Sequence, residues 1–131
     1  MKPPVETVRI GKQGRDQLMK LRRQTGIEHW NVLCRWALCV SVREKTCPTS
    51  VNQKADGGIE MTWKVFAGEH ADILIALNAL RAKQDAFPNT DEGLANCFRA
   101  HIHRGLTYLA SGTDTKSISD FIGRWMAQKA A

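Results

Sequence analysis

The sequence predicts a mainly α-helical chain with short β-strands, organised as a single domain over residues 1–131. Long stretches repeat their apolar residues at helical spacing, and two short stretches alternate apolar with polar residues. Turn-forming Gly, Pro, Asn and Asp fall between them. The order is a strand–helix–helix unit, then three further helices and a β-hairpin. With 43% hydrophobic and 24% charged residues, the composition is that of a folded globular protein. A chain of 131 residues can bury one core and is small enough to gain from self-association.

Glu6–Ile10 alternates in the β manner, with Val8 and Ile10 on one face and Thr7 and Arg9 on the other. Gly11 ends it. Lys12–Gln24 reads as a helix whose inner side carries Leu18 and Leu21. Thr25-Gly26-Ile27-Glu28 has capping-box spacing and predicts a new helix start. The following helix, Ile27–Glu44, is apolar nearly all round, through Trp30, Leu33, Trp36, Leu38 and Val40. A helix without a continuous polar face is normally buried on several sides, which predicts a subunit interface as well as an internal core.

Cys47–Gly58 holds Pro48, Asn52 and Asp56-Gly57-Gly58, the chemistry of a loop and hairpin. Ile59–Val65 alternates and predicts a half-buried strand, with Val51–Ala55 as a hairpin partner. Glu69–Ala86 is helical, its inner stripe made by Ile73, Leu77 and Leu80 and widened by Leu74 and Ala76. Phe87-Pro88-Asn89-Thr90 breaks the chain before a helix over Asp91–Ser111, stopped by Gly112. In the last helix, Lys116–Gln128, Ile118, Phe121, Ile122, Trp125 and Met126 share one apolar face.

Charge is unevenly spread. Residues 1–54 hold 11 Lys and Arg against 4 Asp and Glu, and residues 55–131 hold 8 against 9. A basic segment on a neutral scaffold points to a polyanion, and for a small chain to nucleic acid. The candidate contact residues are Arg9, Lys12, Arg15, Lys20, Arg22 and Arg23, with Asp16 the one acid between Lys12 and Arg23. Phosphate contacts of this kind supply salt-sensitive affinity and little sequence information.

Other chemistries find little support. The four cysteines show no CxxC spacing and read as buried or free thiols. His101 and His103 are two apart on a helix and point in different directions, so no metal site is expected there. No nucleophile elbow, P-loop, zinc-protease or dinucleotide motif is present, and Asp91-Glu92 is explained by the helix dipole. No catalytic residue and no cofactor is therefore expected. The N-terminus has no apolar signal region and no apolar stretch is long enough to span a membrane, which predicts a cytoplasmic protein.

The N-terminal strand and two helices resemble a ribbon–helix–helix element. In that arrangement the strands of two chains pair into a ribbon that lies in a major groove, with Thr7 and Arg9 facing the bases. The alternative is that the strand edges a sheet beside Ile59–Val65. The chain also resembles the DndE family, the small component of the bacterial DNA sulfur-modification (phosphorothioation) system. The residues that carry this resemblance are Val8-Arg9-Ile10, Gly14–Leu18, the run Thr25–Ala37 with its T-G-I-x-x-W-N-x-L-C-R-W pattern, Trp63–Glu69 and His101–Gly105.

The resemblance implies a non-catalytic, homo-oligomeric subunit, tetrameric in the family, that binds double-stranded DNA with a preference for nicked duplex. Its expected partners are a cysteine desulfurase, a sulfurtransferase-like subunit and an ATPase component of the modification system. Family DNA binding is attributed to surface lysines, a type that Lys12 and Lys20 match. Three other readings stand beside it: a ribbon–helix–helix transcriptional regulator, a DNA nickase using a carboxylate such as Glu69, and a purely protein-binding adaptor.

Overall fold

The structure is a computed structural model and describes residues 2–49 and 58–111. The elements are β1 (Thr7–Ile10), α1 (Lys12–Thr25), α2 (Trp30–Arg43), β2 (Ile59–Thr62), α3 (Trp63–Ala67), a single 3-10 turn (Gly68–His70), α4 (Ala71–Gln84) and α5 (Asp91–Ala110). This is the mainly helical chain with a small sheet that the pattern predicts. The expected strand over Val51–Ala55 and helix over Lys116–Gln128 lie outside the described residues.

Helix α5 is the centre of the fold, packing against α1, α2 and α4. Its inward residues Phe98, Ile102, Leu106 and Leu109 meet Leu18 and Leu21 of α1 and Leu33, Ala37 and Leu38 of α2 in one apolar cluster. The α2–α5 crossing is close because Gly105 has no side chain, and a Cβ there would overlap the Ala37 backbone carbonyl. Thr90 caps α5 by accepting from the Gly93 amide at 3.0 Å.

Strand β1 pairs antiparallel with β2 of the same chain, in the register Thr7↔Thr62 through Ile10↔Ile59. Of the two partners open to β1, this is the edge-of-sheet arrangement. Val8 and Ile10 are buried as their alternation predicts, and Arg9 stands outward opposite Glu60, 3.5 Å away.

Three local expectations are corrected. First, α2 starts at Trp30, because Thr25–Gly26 closes α1. Gly26 takes φ 75° and bonds back to the Arg22 carbonyl, while the Thr25 hydroxyl donates to the Leu21 carbonyl and accepts from the Ile27 amide. Second, β2 stops at Thr62 and Trp63–Ala67 is helical. The Thr62 hydroxyl accepts from the Val65 amide, and Trp63 turns in against Phe66 and Phe98, with ring centroids 5.3–5.5 Å apart.

The third correction concerns α4. Its buried residues are Leu74, Asn78, Arg81 and Ala82, whereas Ile73 is 68% and Leu80 52% exposed. The polar pair Asn78 and Arg81 is drawn inward by backbone acceptors, and this turns the expected apolar stripe toward the outside. The helix ends in a Schellman-type turn, with Phe87 bonding to Ala82 and Ala86 to Lys83. Ala86, at φ 61°, occupies the left-handed position usually given to glycine.

Gly105→Ala is expected to destabilise the protein by about 3 kcal/mol, because the overlap is with backbone and has no flexible neighbour to absorb it. Urea denaturation followed by circular dichroism measures this. A loss below about 1 kcal/mol, the range of a tolerated surface change, would contradict the close crossing.

Candidate nucleic-acid interface

On α1 the positions 12, 15, 19, 22 and 23 fall within roughly 100° of one another at 3.6 residues per turn. They lie beside the buried arc of Gly14, Leu18, Leu21 and Thr25, whose centre is about 120° round the helix. Lys12, Arg15, Arg22 and Arg23 therefore share one exposed face with Met19. Arg15, Met19, Arg22 and Arg23 line a groove of about 460 Å³ together with Trp30 and Ile59. The Arg22 guanidinium sits 5.2 Å from the centre of the Trp30 ring, a cation–π contact that fixes one wall.

The other two candidates stand apart from this group. Arg9 projects from β1 and faces Glu60 across the sheet. Lys20 leaves the α1 face sideways, and its ammonium donates to the Ala110 carbonyl at 2.9 Å. It thereby complements the negative end of α5. So the structure gathers Lys12, Arg15, Arg22 and Arg23, and gives Arg9 and Lys20 partners within the chain.

A second polar constellation is buried where the end of α2 meets α4 and α5. The Arg81 guanidinium donates to the carbonyl of Val42, in the last turn of α2, to those of Glu44 and Thr46 just beyond it, and to the Asp85 carboxylate at 3.1 Å. Asp85 also bonds His101 Nε2 at 2.8 Å, and His101 Nδ1 bonds the Ser41 hydroxyl at 2.9 Å. Arg104 donates from Nε to Ser41 Oγ and from its terminal nitrogens to the carbonyls of Thr46 and Ser41.

Protonation follows from these partners. Burial disfavours a charged Asp85, but hydrogen bonds from His101 and Arg81, together with the Arg81 charge, outweigh it and hold the carboxyl below its usual range. Burial lowers His101, and the Asp85 hydrogen bond only partly offsets this. At neutral pH a neutral His101 therefore donates from Nε2 to Asp85, and Nδ1 accepts from Ser41. The order Ser–His–Asp has the outline of a hydrolase triad, yet Ser41 has no exposed surface and its oxygen already accepts from Arg104. No substrate can reach it.

The thiols are no better placed for chemistry. Burial pushes Cys34 up to about 12 and also raises Cys39. Burial, reinforced by the Asp85 charge, takes Cys97 to about 12. Such thiols stay protonated at neutral pH and are poor nucleophiles. Among the described residues, one group of His, Cys, Asp and Glu has three ligand atoms within metal-binding reach: Asp85, Cys97 and His101. Glu60, Glu69 and Asp72, the loose carboxylates of the nickase reading, form no such group among the described residues.

Nothing in the apolar periodicity marks Arg81 as buried. The signal available was positional: Arg81 falls on one stripe with Leu74 and Asn78, and Asp85 follows at i+4 to receive it.

A family model described as "DNA sulphur modification protein DndE" matches residues 7–117. Among solved structures, the chain is similar to the crystal structure of DndE from Escherichia coli B7A, whose title describes it as involved in DNA phosphorothioation modification. The identity is 23% and the TM-score 0.66, with 80% of this chain and 96% of that chain covered. At that identity the likeness shows a shared fold. No curated protein sequence matches.

Arg81→Met is expected to cost about 3–5 kcal/mol, since it leaves Asp85 buried without its cation and the Val42 and Glu44 carbonyls without this donor. Arg81→Lys should recover only part, because an ammonium cannot spread its donors as the planar fork does. Equilibrium urea unfolding reads both variants. A loss under about 1 kcal/mol for the methionine variant would place Arg81 among ordinary surface residues.

Proposed function

The chain belongs to the DndE family of DNA sulfur-modification proteins, and from that premise we propose that it is a non-catalytic DNA-binding and scaffolding subunit of the phosphorothioation machinery. The observation that carries this reading is the shared face of Lys12, Arg15, Arg22 and Arg23 on α1. Four cations along one rigid helix suit a run of phosphates, and phosphate contact alone favours a break or bend in the duplex over a fixed sequence. Nicked double-stranded DNA is the ligand this reading favours. Arg9 and Lys20, already engaged within the chain, would add steering charge.

The sulfur chemistry itself falls to partner subunits, a sulfurtransferase-like protein and an ATPase among them. The ribbon-forming regulator is disfavoured, because β1 already forms a sheet with β2 of its own chain and does not stand alone as a ribbon strand. The chain would work as a homo-oligomer, with a tetramer the favoured state. A second copy is the proposed occupant of the groove of about 530 Å³ between α2 and α4, where Val32, Trp36, Ile73 and Leu77 stand together. Helix α2 is apolar on more sides than the described residues cover, and α4 turns its apolar stripe outward beside it.

The first test titrates the protein against intact, nicked and single-stranded DNA of one sequence at several salt concentrations. Tighter binding to nicked duplex is expected. The double change Arg22→Ala with Arg23→Ala should weaken binding and lower the log–log salt slope by about 2. No binding at low salt would overturn the DNA reading and favour the adaptor.

The second test measures the mass of Ile73→Glu in solution. It is expected to be a smaller assembly than the wild type, since a charge cannot be buried unpaired in an apolar contact. An unchanged oligomer would move the interface elsewhere.

A further inference from the structure

We propose that Asp85, Cys97 and His101 bind a zinc ion, with Cys47 as the fourth ligand, so that the segment following α2 is clipped to the junction of α4 and α5. The three central ligand atoms already lie within 4.8 Å of one another. Bonds of about 2.0–2.3 Å around a tetrahedral zinc space its ligand atoms by roughly 3.3–3.8 Å, so only small side-chain shifts are needed. Cys97 and His101 are four apart on α5 and share a helix face. Asp85 enters from the C-terminal cap of α4.

Cys47 is exposed, and its sulfur lies 3.7 Å from the Asp85 backbone oxygen; it stands outside the group of three and would join it by rotation of its side chain. A set of two sulfurs, one imidazole and one carboxylate suits zinc, whereas calcium and magnesium take oxygen sets.

The surroundings suit an ion. Zinc would take the place of the proton between His101 Nε2 and Asp85. His101 would then carry its proton on Nδ1 and donate to Ser41, whose oxygen can accept from both His101 and Arg104. This is the outer hydrogen bond that orients a metal-bound imidazole. Two thiolates and one carboxylate would offset the zinc ion plus the Arg81 guanidinium, which already contacts Asp85, and leave the Arg104 guanidinium on Ser41 as the one excess positive charge beside the site. No spacing motif announces the site, because its ligands come from three separate stretches of chain.

The test uses full-length untagged protein, purified without chelator, with zinc measured by mass spectrometry and cobalt binding followed by absorption. About one zinc per chain is expected, and cobalt should give a thiolate-to-metal charge-transfer band. Cys47→Ser, a change at an exposed position, should leave the fold intact by circular dichroism and weaken zinc affinity by roughly tenfold or more. Folded wild-type protein that carries no zinc and shows no thiolate–cobalt band would overturn the site. So would zinc affinity unchanged by Cys47→Ser.

Discussion

The fold turns on one buried cation. Arg81 reaches from α4 to the carbonyls that end α2, and its charge is held by Asp85 at the end of its own helix; the two side chains are only 6% and 3% exposed. A buried guanidinium is tolerated only when nearly all its donors are met and a counter-charge is near. Meeting those demands sets the rotation of α4, the stopping point of α2 and the position of Asp85, which in turn orients His101 on α5. Three helices are thereby fixed relative to one another by polar geometry, while the apolar cluster around Leu106 and Phe98 supplies most of the burial.

The same constraint explains which parts of the fold were legible in the sequence. The alternation of Val8 and Ile10 and the inward Leu18 and Leu21 follow from apolar burial alone, and the structure keeps them. Helix α4 does not follow that rule. Ile73 and Leu80 look like core residues by spacing, but the demand of Arg81 for backbone acceptors outweighs the burial of two aliphatic side chains. Thr25 likewise has the look of a helix start. Gly26, free to take a left-handed conformation, makes it the end of α1 instead. The reversal in α4 depends on partners about 40 residues away, as with Arg81 and Val42, and no local window contains them.

The candidate DNA face was legible in composition but not in detail. Charge counting identifies the basic third of the chain, and helical periodicity groups Lys12, Arg15, Arg22 and Arg23. That Arg9 would meet Glu60 depends on the β1–β2 register, and that Lys20 would bind the end of α5 depends on tertiary packing. Neither is encoded in the spacing of the cations themselves. The basic face and the buried polar junction are carried by different elements, so the charge of α1 can vary without disturbing the packing that α2, α4 and α5 share.

The long-range pairing of the N-terminal elements has a further consequence for how the chain is made. Lys20 reaches Ala110 across 90 residues, and β1 meets a strand that follows it by some fifty positions. As the chain leaves the ribosome N-terminus first, α1 can meet α2 early, but its main packing surface, α5, is the last of the described elements to emerge. Its arginines thus travel on an incompletely packed helix until α5 is made. The rigid cationic face exists only once α5 has emerged, so a product truncated before α5 would carry the charge without the shape.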